Sequence, residues 1–314
     1  MTPDHERPLL DLDFADALGK NSKTENFFTD LLSRHYRVRI VDDPDVLFFT
    51  HTGQRNRLYS CRKIYYSQER YPPDWGQCDA AVTSCYVDHP RAYYLPYFAA
   101  NRGGEELVRR EKIDWDRILD EKRRFCCFLN KYVDRTVRKR TEFFEELSRH
   151  ARIDAGGPAL NNLGFVINDG EAAKMKFLAG YRFHMAFENR LAPGWTTEKF
   201  YDPFRVHCIP IYWGDNYALR YFNPKAFVNV MEFRNFRECA EFVLHLENDR
   251  GAYARMLMES PYRDNRLPEV FEHDRLLAFL VREIERKEVP IARRRWFYPL
   301  TKWRLVKRNK RIGE

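Results

Sequence analysis

Several common sequence features are missing from this chain, and each absence removes a class of function. No stretch approaches the roughly 18–20 consecutive apolar residues that a helix needs to cross a bilayer. The N-terminal segment MTPDHERPLLDLDFAD is acidic and has neither a basic leader nor an apolar core, so it does not read as a secretory signal. There is no Cys-x-x-Cys pair and no Asn-x-Ser/Thr sequon. The seven cysteines (Cys61, Cys78, Cys85, Cys126, Cys127, Cys208 and Cys239) are odd in number and scattered through apolar runs. They read as reduced, buried thiols, which points to a cytosolic setting. The nine histidines have no metal-ligand spacing, so no metal site is expected. No Gly-x-Gly-x-x-Gly, internal repeat or low-complexity stretch is present.

What is present suits a large α/β protein. The chain has 314 residues and 44% hydrophobic content, enough for two α/β domains of ordinary size. Aromatics reach 15%, which fits either sugar- and base-sized clefts or a thick aromatic core. The net charge of +8 is uneven: Arg286–Glu314 holds eleven Lys/Arg against two Glu, leaving the rest of the chain near −1. The basicity therefore belongs to a tail, not to a nucleic-acid-binding face, and no specific nucleic acid is expected as a partner.

Short apolar runs alternate with helical periodicity, as in parallel α/β sheets. Strands are predicted near 9–14, 37–41, 46–50, 64–66 and 80–83, with a helix over 25–36 and an extended Tyr/Pro segment over 92–98. A charge-dense stretch from Arg102 to Arg124, with a helix from Asp114, marks a domain boundary. A second α/β unit follows, with strands at 125–129, 181–187, 208–214 and 226–230. Its helices are at 141–150, after Thr196 or Thr197, at 236–246 and at 251–258. The expected domains are 1–120, 121–285 and a basic, aromatic-containing tail at 286–314. Asp43-Pro-Asp45 matches a metal-binding Asp-x-Asp string but sits in a turn, where Asp is common for local reasons.

The chemistry concentrates in YRFHMAFENRLAPGWTTEKFYDPFRVHCIP (181–210), running on into Ile211-Tyr-Trp-Gly214. It reads as strand, polar loop, helix start and strand. Thr196 or Thr197 is a natural N-cap, which puts Glu198 and Lys199 in the first helical turn. A Lys at the positive end of a helix is locally unfavourable. A bound diphosphate would remove that conflict; a solvated first turn explains it equally well.

The linked motifs FENRLAPGWTTEK (187–199), CIPIYWG (208–214) and FNPKAFVNVMEFRNF (222–236) resemble the family-10 glycosyltransferases, the α1,3/1,4-fucosyltransferases, above all their soluble bacterial branch. The resemblance implies a GT-B architecture of two facing Rossmann-like domains with a cleft between them, an N-terminal acceptor domain and a C-terminal GDP-fucose domain. It implies that Lys199 contacts the donor phosphates and Glu198 the ribose, with Asn189 nearby. Trp195 stands where bacterial relatives usually have Tyr, which keeps an aromatic there and implies a donor-binding residue. Arg140 precedes TEFFEEL as a phosphate-binding Arg does in relatives. Tyr66-Ser-Gln-Glu69 occupies the place of a YTGE stretch, which makes Glu69 the catalytic base. The implied activity is inverting transfer of L-fucose from GDP-β-L-fucose to a glycan hydroxyl. No cofactor is required, and a divalent metal is at most stimulatory. The alternatives are another GDP-sugar on the same scaffold, or a catalytically silent nucleotide-sugar or glycan-binding protein. The tail RRRWFYPLTKWRLVKRNKRI (293–312) interleaves basic and aromatic residues. It suits an anionic membrane surface, which implies a cytoplasmic protein peripheral to the inner membrane.

Overall fold

The computed structural model describes residues 6–16, 18, 22–109, 112–132, 138–167 and 170–294. Most of the basic tail, from 295 onward, lies outside the described residues. The chain forms two compact units that divide at Pro96/Tyr97 and again at Phe271/Glu272, so residues 272–294 belong with the first unit.

The first unit runs β1 (Leu9–Phe14), α1 (Phe27–Leu32), β2 (Arg37–Ile40), β3 (Val46–Phe49), β4 (Arg62–Ser67), β5 (Ala80–Thr83) and β6 (Ala92–Tyr94). The strands form one sheet in the order β2-β1-β3-β4-β5-β6, and every pairing is parallel. Strands buried on both faces need near-continuous apolar sequence, and Val46–Phe49 and Ala80–Thr83 are buried throughout. Helix α1 is shorter than the expected 25–36. It starts where the Asn26 side chain accepts from the backbone of Phe28 and Thr29, and Tyr36 beyond its end is buried in the core.

The second unit runs α2 (Tyr97–Asn101), α3 (Trp115–Glu121), β7 (Arg124–Phe128), α4 (Arg138–Ser148), β8 (Ile153–Ala155), α5 (Glu171–Ala179), β9 (Tyr181–Phe187), α6 (Glu198–Arg205), β10 (Ile209–Trp213), β11 (Val228–Asn229), α7 (Phe236–Asn248) and α8 (Arg250–Met258). Its sheet has the order β11-β10-β9-β7-β8, again all parallel. Alternation along β9 sends Phe183, Met185 and Phe187 into a core with Phe143 and Leu147 of α4 and Cys239, Ala240, Val243 and Leu246 of α7. Each fully buried Phe there adds about 2 kcal/mol. On the other face Cys127 packs with Leu178 and Cys208. Lys122, buried just after α3, donates to the carbonyls of Ala179 and Val206 at 2.6 Å each. One ammonium thereby satisfies carbonyls at the C-terminal ends of both α5 and α6. The chain then returns to the first unit as α9 (His273–Ile284) and α10 (Ile291–Arg294). There Tyr36 donates to Glu285, and Arg62 donates to the carbonyls of Arg286 and Glu288.

Further stretches depart from expectation. Residues 92–98 are extended only to Tyr94, and α2 begins directly after Pro96. The elements β8, α5 and α9 were not foreseen. In α5 only Leu178 is fully buried, so its sequence carries little apolar periodicity. In the second sheet β7 lies between β8 and β9, so the connections leaving β7 and β9 diverge. A crevice opens at the C-terminal ends of strands where connections diverge in this way, and ligands of open parallel sheets bind there.

Candidate active site

The crevice in the second unit is a cavity of about 860 Å³. Leu129, Asn130, Lys131 and Tyr132 line it from the turn after β7, Gly157 and Pro158 from the turn after β8, and Asn189 from the turn after β9. The start of α6 contributes Glu198 and Lys199, and His184 of β9 lies at its floor. Gly157 is required by close approach: a Cβ there would sit 2.2 Å from the carbonyl oxygen of Asn130.

Thr197 is the N-cap of α6 and accepts from the Lys199 N–H. A fully buried carboxylate, Glu188, holds this turn from behind. It accepts from the Thr197 N–H at 2.7 Å and from its hydroxyl at 2.8 Å. Lys199 Nζ donates to Thr197 Oγ1 at 3.2 Å and to Glu198 Oε1 at 3.1 Å, and lies 3.8 Å from Glu188 Oε2. The unfavourable lysine at the helix start is thus flanked by two carboxylates. Burial pushes the Glu188 carboxyl above its ordinary value, against the pull of Lys199. Burial alone would also raise Glu198, but Lys199 and Lys174 overcome it and hold the group down at about 2. Burial opposes the charge on Lys199, yet Glu188 and Glu198 raise its pKa overall. His184 is driven down to about 3, mainly by burial and further by the nearby cations, and is neutral.

Arg140 of α4 is buried and donates to the Phe187 carbonyl at 2.8 Å and to Asn189 Oδ1 at 2.7 Å. Four of the residues singled out in the sequence, Arg140, Asn189, Glu198 and Lys199, therefore line one cavity. Trp195 is buried and is not among the lining residues. Glu69 belongs to the first unit, exposed on the turn after β4, where its N–H donates to Ser67 Oγ at 3.1 Å. Sequence reasoning passed over Arg102, Lys131, Lys174 and Asp202. Asp202 is fully buried and accepts from Arg102 at 3.1 Å and Lys174 at 2.9 Å. Its spacing of four from Glu198 on a helix was the one available clue. The cavity wall carries five cations (Arg102, Lys131, Arg140, Lys174, Lys199) against three carboxylates (Glu171, Glu198, Asp202). The balance of two positive charges complements a diphosphate.

Two family models match. Residues 12–100 match the α-(1,3)-fucosyltransferase FucT N-terminal domain, and residues 119–260 match the glycosyltransferase family 10 (fucosyltransferase) C-terminal domain. The chain belongs to glycosyltransferase family 10. Helicobacter pylori α-(1,3)-fucosyltransferase FucT is 36% identical to this family-10 chain over 269 residues, 74% of this chain and 55% of that protein. Drosophila melanogaster α-(1,3)-fucosyltransferase B is 29% identical over 150 residues, 45% of this chain and 32% of that one. The chain spans about half, or less, of the length of the curated relatives it matches. A crystal structure of an α1,3-fucosyltransferase with GDP-fucose superposes with a TM-score of 0.73 at 23% identity, covering 92% of this chain and 94% of that one. Another α1,3-fucosyltransferase crystal structure gives 0.75 at the same identity, with coverages of 92% and 93%. At that identity the likeness carries the fold, the GT-B type. Within the family-10 chain, Arg140, Asn189, Glu198 and Lys199 fall inside the C-terminal match and Glu69 inside the N-terminal one.

Proposed function

We propose that this family-10 protein transfers L-fucose from GDP-β-L-fucose to a glycan hydroxyl with inversion, α1,3 to a GlcNAc-type residue. One observation carries the reading: the switch-point cavity gathers Arg140, Asn189, Glu198 and Lys199 on a wall with two excess positive charges. The diphosphate would lie against Lys199 and Arg140, and the ionised Glu198 would accept from the ribose hydroxyls. Glu69 takes the proton of the acceptor hydroxyl as its oxygen bonds to the anomeric carbon. The bond from that carbon to the β-phosphate oxygen breaks, and the departing GDP keeps the electron pair. Lys199 and Arg140 meet the charge that develops on the diphosphate. No cofactor beyond the donor substrate enters this scheme. The basic tail docks the protein on an anionic membrane, where lipid-borne acceptors are assembled, from the cytoplasmic side. A GDP-release assay over GDP-sugars and glycan acceptors, with product masses, tests the reading. Fucosyl transfer is expected. Transfer of another sugar would replace the donor, and GDP-fucose binding without turnover would make this a binding protein.

A further inference from the structure

We infer that the stacked rings of His51 and Tyr71 in the first unit form the platform on which a neutral pyranose of the glycan acceptor lies. This rests on the transferase reading above and assigns it an acceptor subsite. In the first sheet β1 lies between β2 and β3, so the connections leaving β1 and β3 diverge at their C-terminal ends, the position at which open parallel sheets bind ligands. His51 sits on the turn after β3, and Glu69 and Tyr71 on the turn after β4.

The geometry around the two rings is built. Their centroids are 4.2 Å apart with planes 24° from parallel, and both residues remain exposed, Tyr71 at 48%. Ser67, at the end of β4, ties the pair to the carboxylate-bearing turn. Its hydroxyl lies 3.4 Å from His51 Nδ1, donates to the Glu69 carbonyl and accepts the Glu69 N–H, both at 3.1 Å. Thr50 Oγ1 lies 3.2 Å from the same imidazole nitrogen. From below, the buried Tyr65 hydroxyl donates to the Tyr71 carbonyl at 3.0 Å, and Pro72 and Pro73 restrict the backbone that follows. Two exposed rings held this firmly, next to an exposed carboxylate, offer an apolar face to a sugar's C–H face and an acceptor to its hydroxyl.

The test compares wild type with Tyr71→Ala, Tyr71→Phe and His51→Ala in fucosyl transfer from GDP-fucose to N-acetyllactosamine. Thermal unfolding confirms that each variant folds. Tyr71→Ala is expected to raise the acceptor KM about tenfold, with kcat nearly unchanged. Tyr71→Phe keeps the wild-type KM, and GDP-fucose affinity measured by calorimetry does not move. An unchanged acceptor KM in folded, active Tyr71→Ala and His51→Ala overturns the platform alone. Absence of transfer by the wild-type protein overturns the transferase reading and the platform with it.

Discussion

The neutral histidine at the floor of the cavity makes the acid stability of the second unit predictable. His184 is fully buried on β9, with the Cys127 thiol 3.4 Å from its Nδ1. Burial, with Lys174, Lys199 and Arg140 close by, moves its pKa from 6.5 to about 3. Between those values the unfolded chain holds a proton that the native protein does not. Stability therefore rises with pH across this window, and is lost as pH falls below 6.5. Each pH unit costs about 1.4 kcal/mol, so at pH 4 this one residue removes about 3 kcal/mol. That is a large part of the ~5–15 kcal/mol available to a domain. The perturbation is His184→Leu, close in volume and unable to titrate. Leucine also loses the thiol contact, so the quantity to compare is the slope with pH, not the absolute stability. His207, likewise lowered to about 4 by burial, remains in both proteins and cancels. Urea unfolding at intervals from pH 7.5 to 4 is the assay. The wild-type curve is expected to fall about 3 kcal/mol further than the variant's. Parallel curves would refute the argument and place the imidazole in contact with water or a carboxylate.

Four further outcomes are expected. Glu69→Gln lowers turnover by about 10²–10⁴-fold in steady-state assays while the calorimetric affinity for GDP-fucose stays within a factor of two or so; normal turnover would require another base. Lys199→Ala removes a charge-assisted contact worth about 1.5–3 kcal/mol, so the Kd for GDP rises roughly 10- to 100-fold. Gly157→Ala drives a methyl into the Asn130 backbone, so calorimetry should show weakened GDP binding, and a lowered melting temperature should accompany it. Deleting residues 295–314, which leaves the packed segment up to Arg294 in place, abolishes sedimentation with anionic vesicles; equal sedimentation of the truncated and full chains removes the membrane reading.

Legibility in the sequence followed the range of the interactions. The cap could be narrowed to Thr196 or Thr197, and β9 named as a strand, because both depend on residues within one turn or one strand; the structure selects Thr197. Lys199 could be marked as electrostatically awkward for the same reason. Glu188 was visible in the loop, but its role was not. That role needs the end of β9 to meet the start of α6 so that the carboxylate accepts two Thr197 protons. Asp202 and its partners were out of reach for a similar cause: Arg102 lies a hundred positions away and Lys174 twenty-eight. Helix α5 was missed because it buries so little, and Lys174 was lost with it. The division expected near 120 rested on charge density, whereas the units part at Pro96/Tyr97, and residues 272–294 pack with the first.

That return of the chain has a consequence for synthesis. The second unit is one uninterrupted segment and can complete its contacts as soon as Phe271 has left the ribosome. The first unit emerges earlier but must wait. The Asp79 carboxylate on its sheet accepts from the Ile291 N–H, and Tyr36 needs Glu285. A message broken after codon 271 would therefore yield a finished second unit joined to an unfinished first. A graft that exchanges Tyr97–Phe271 between relatives would leave both cores with their own pieces.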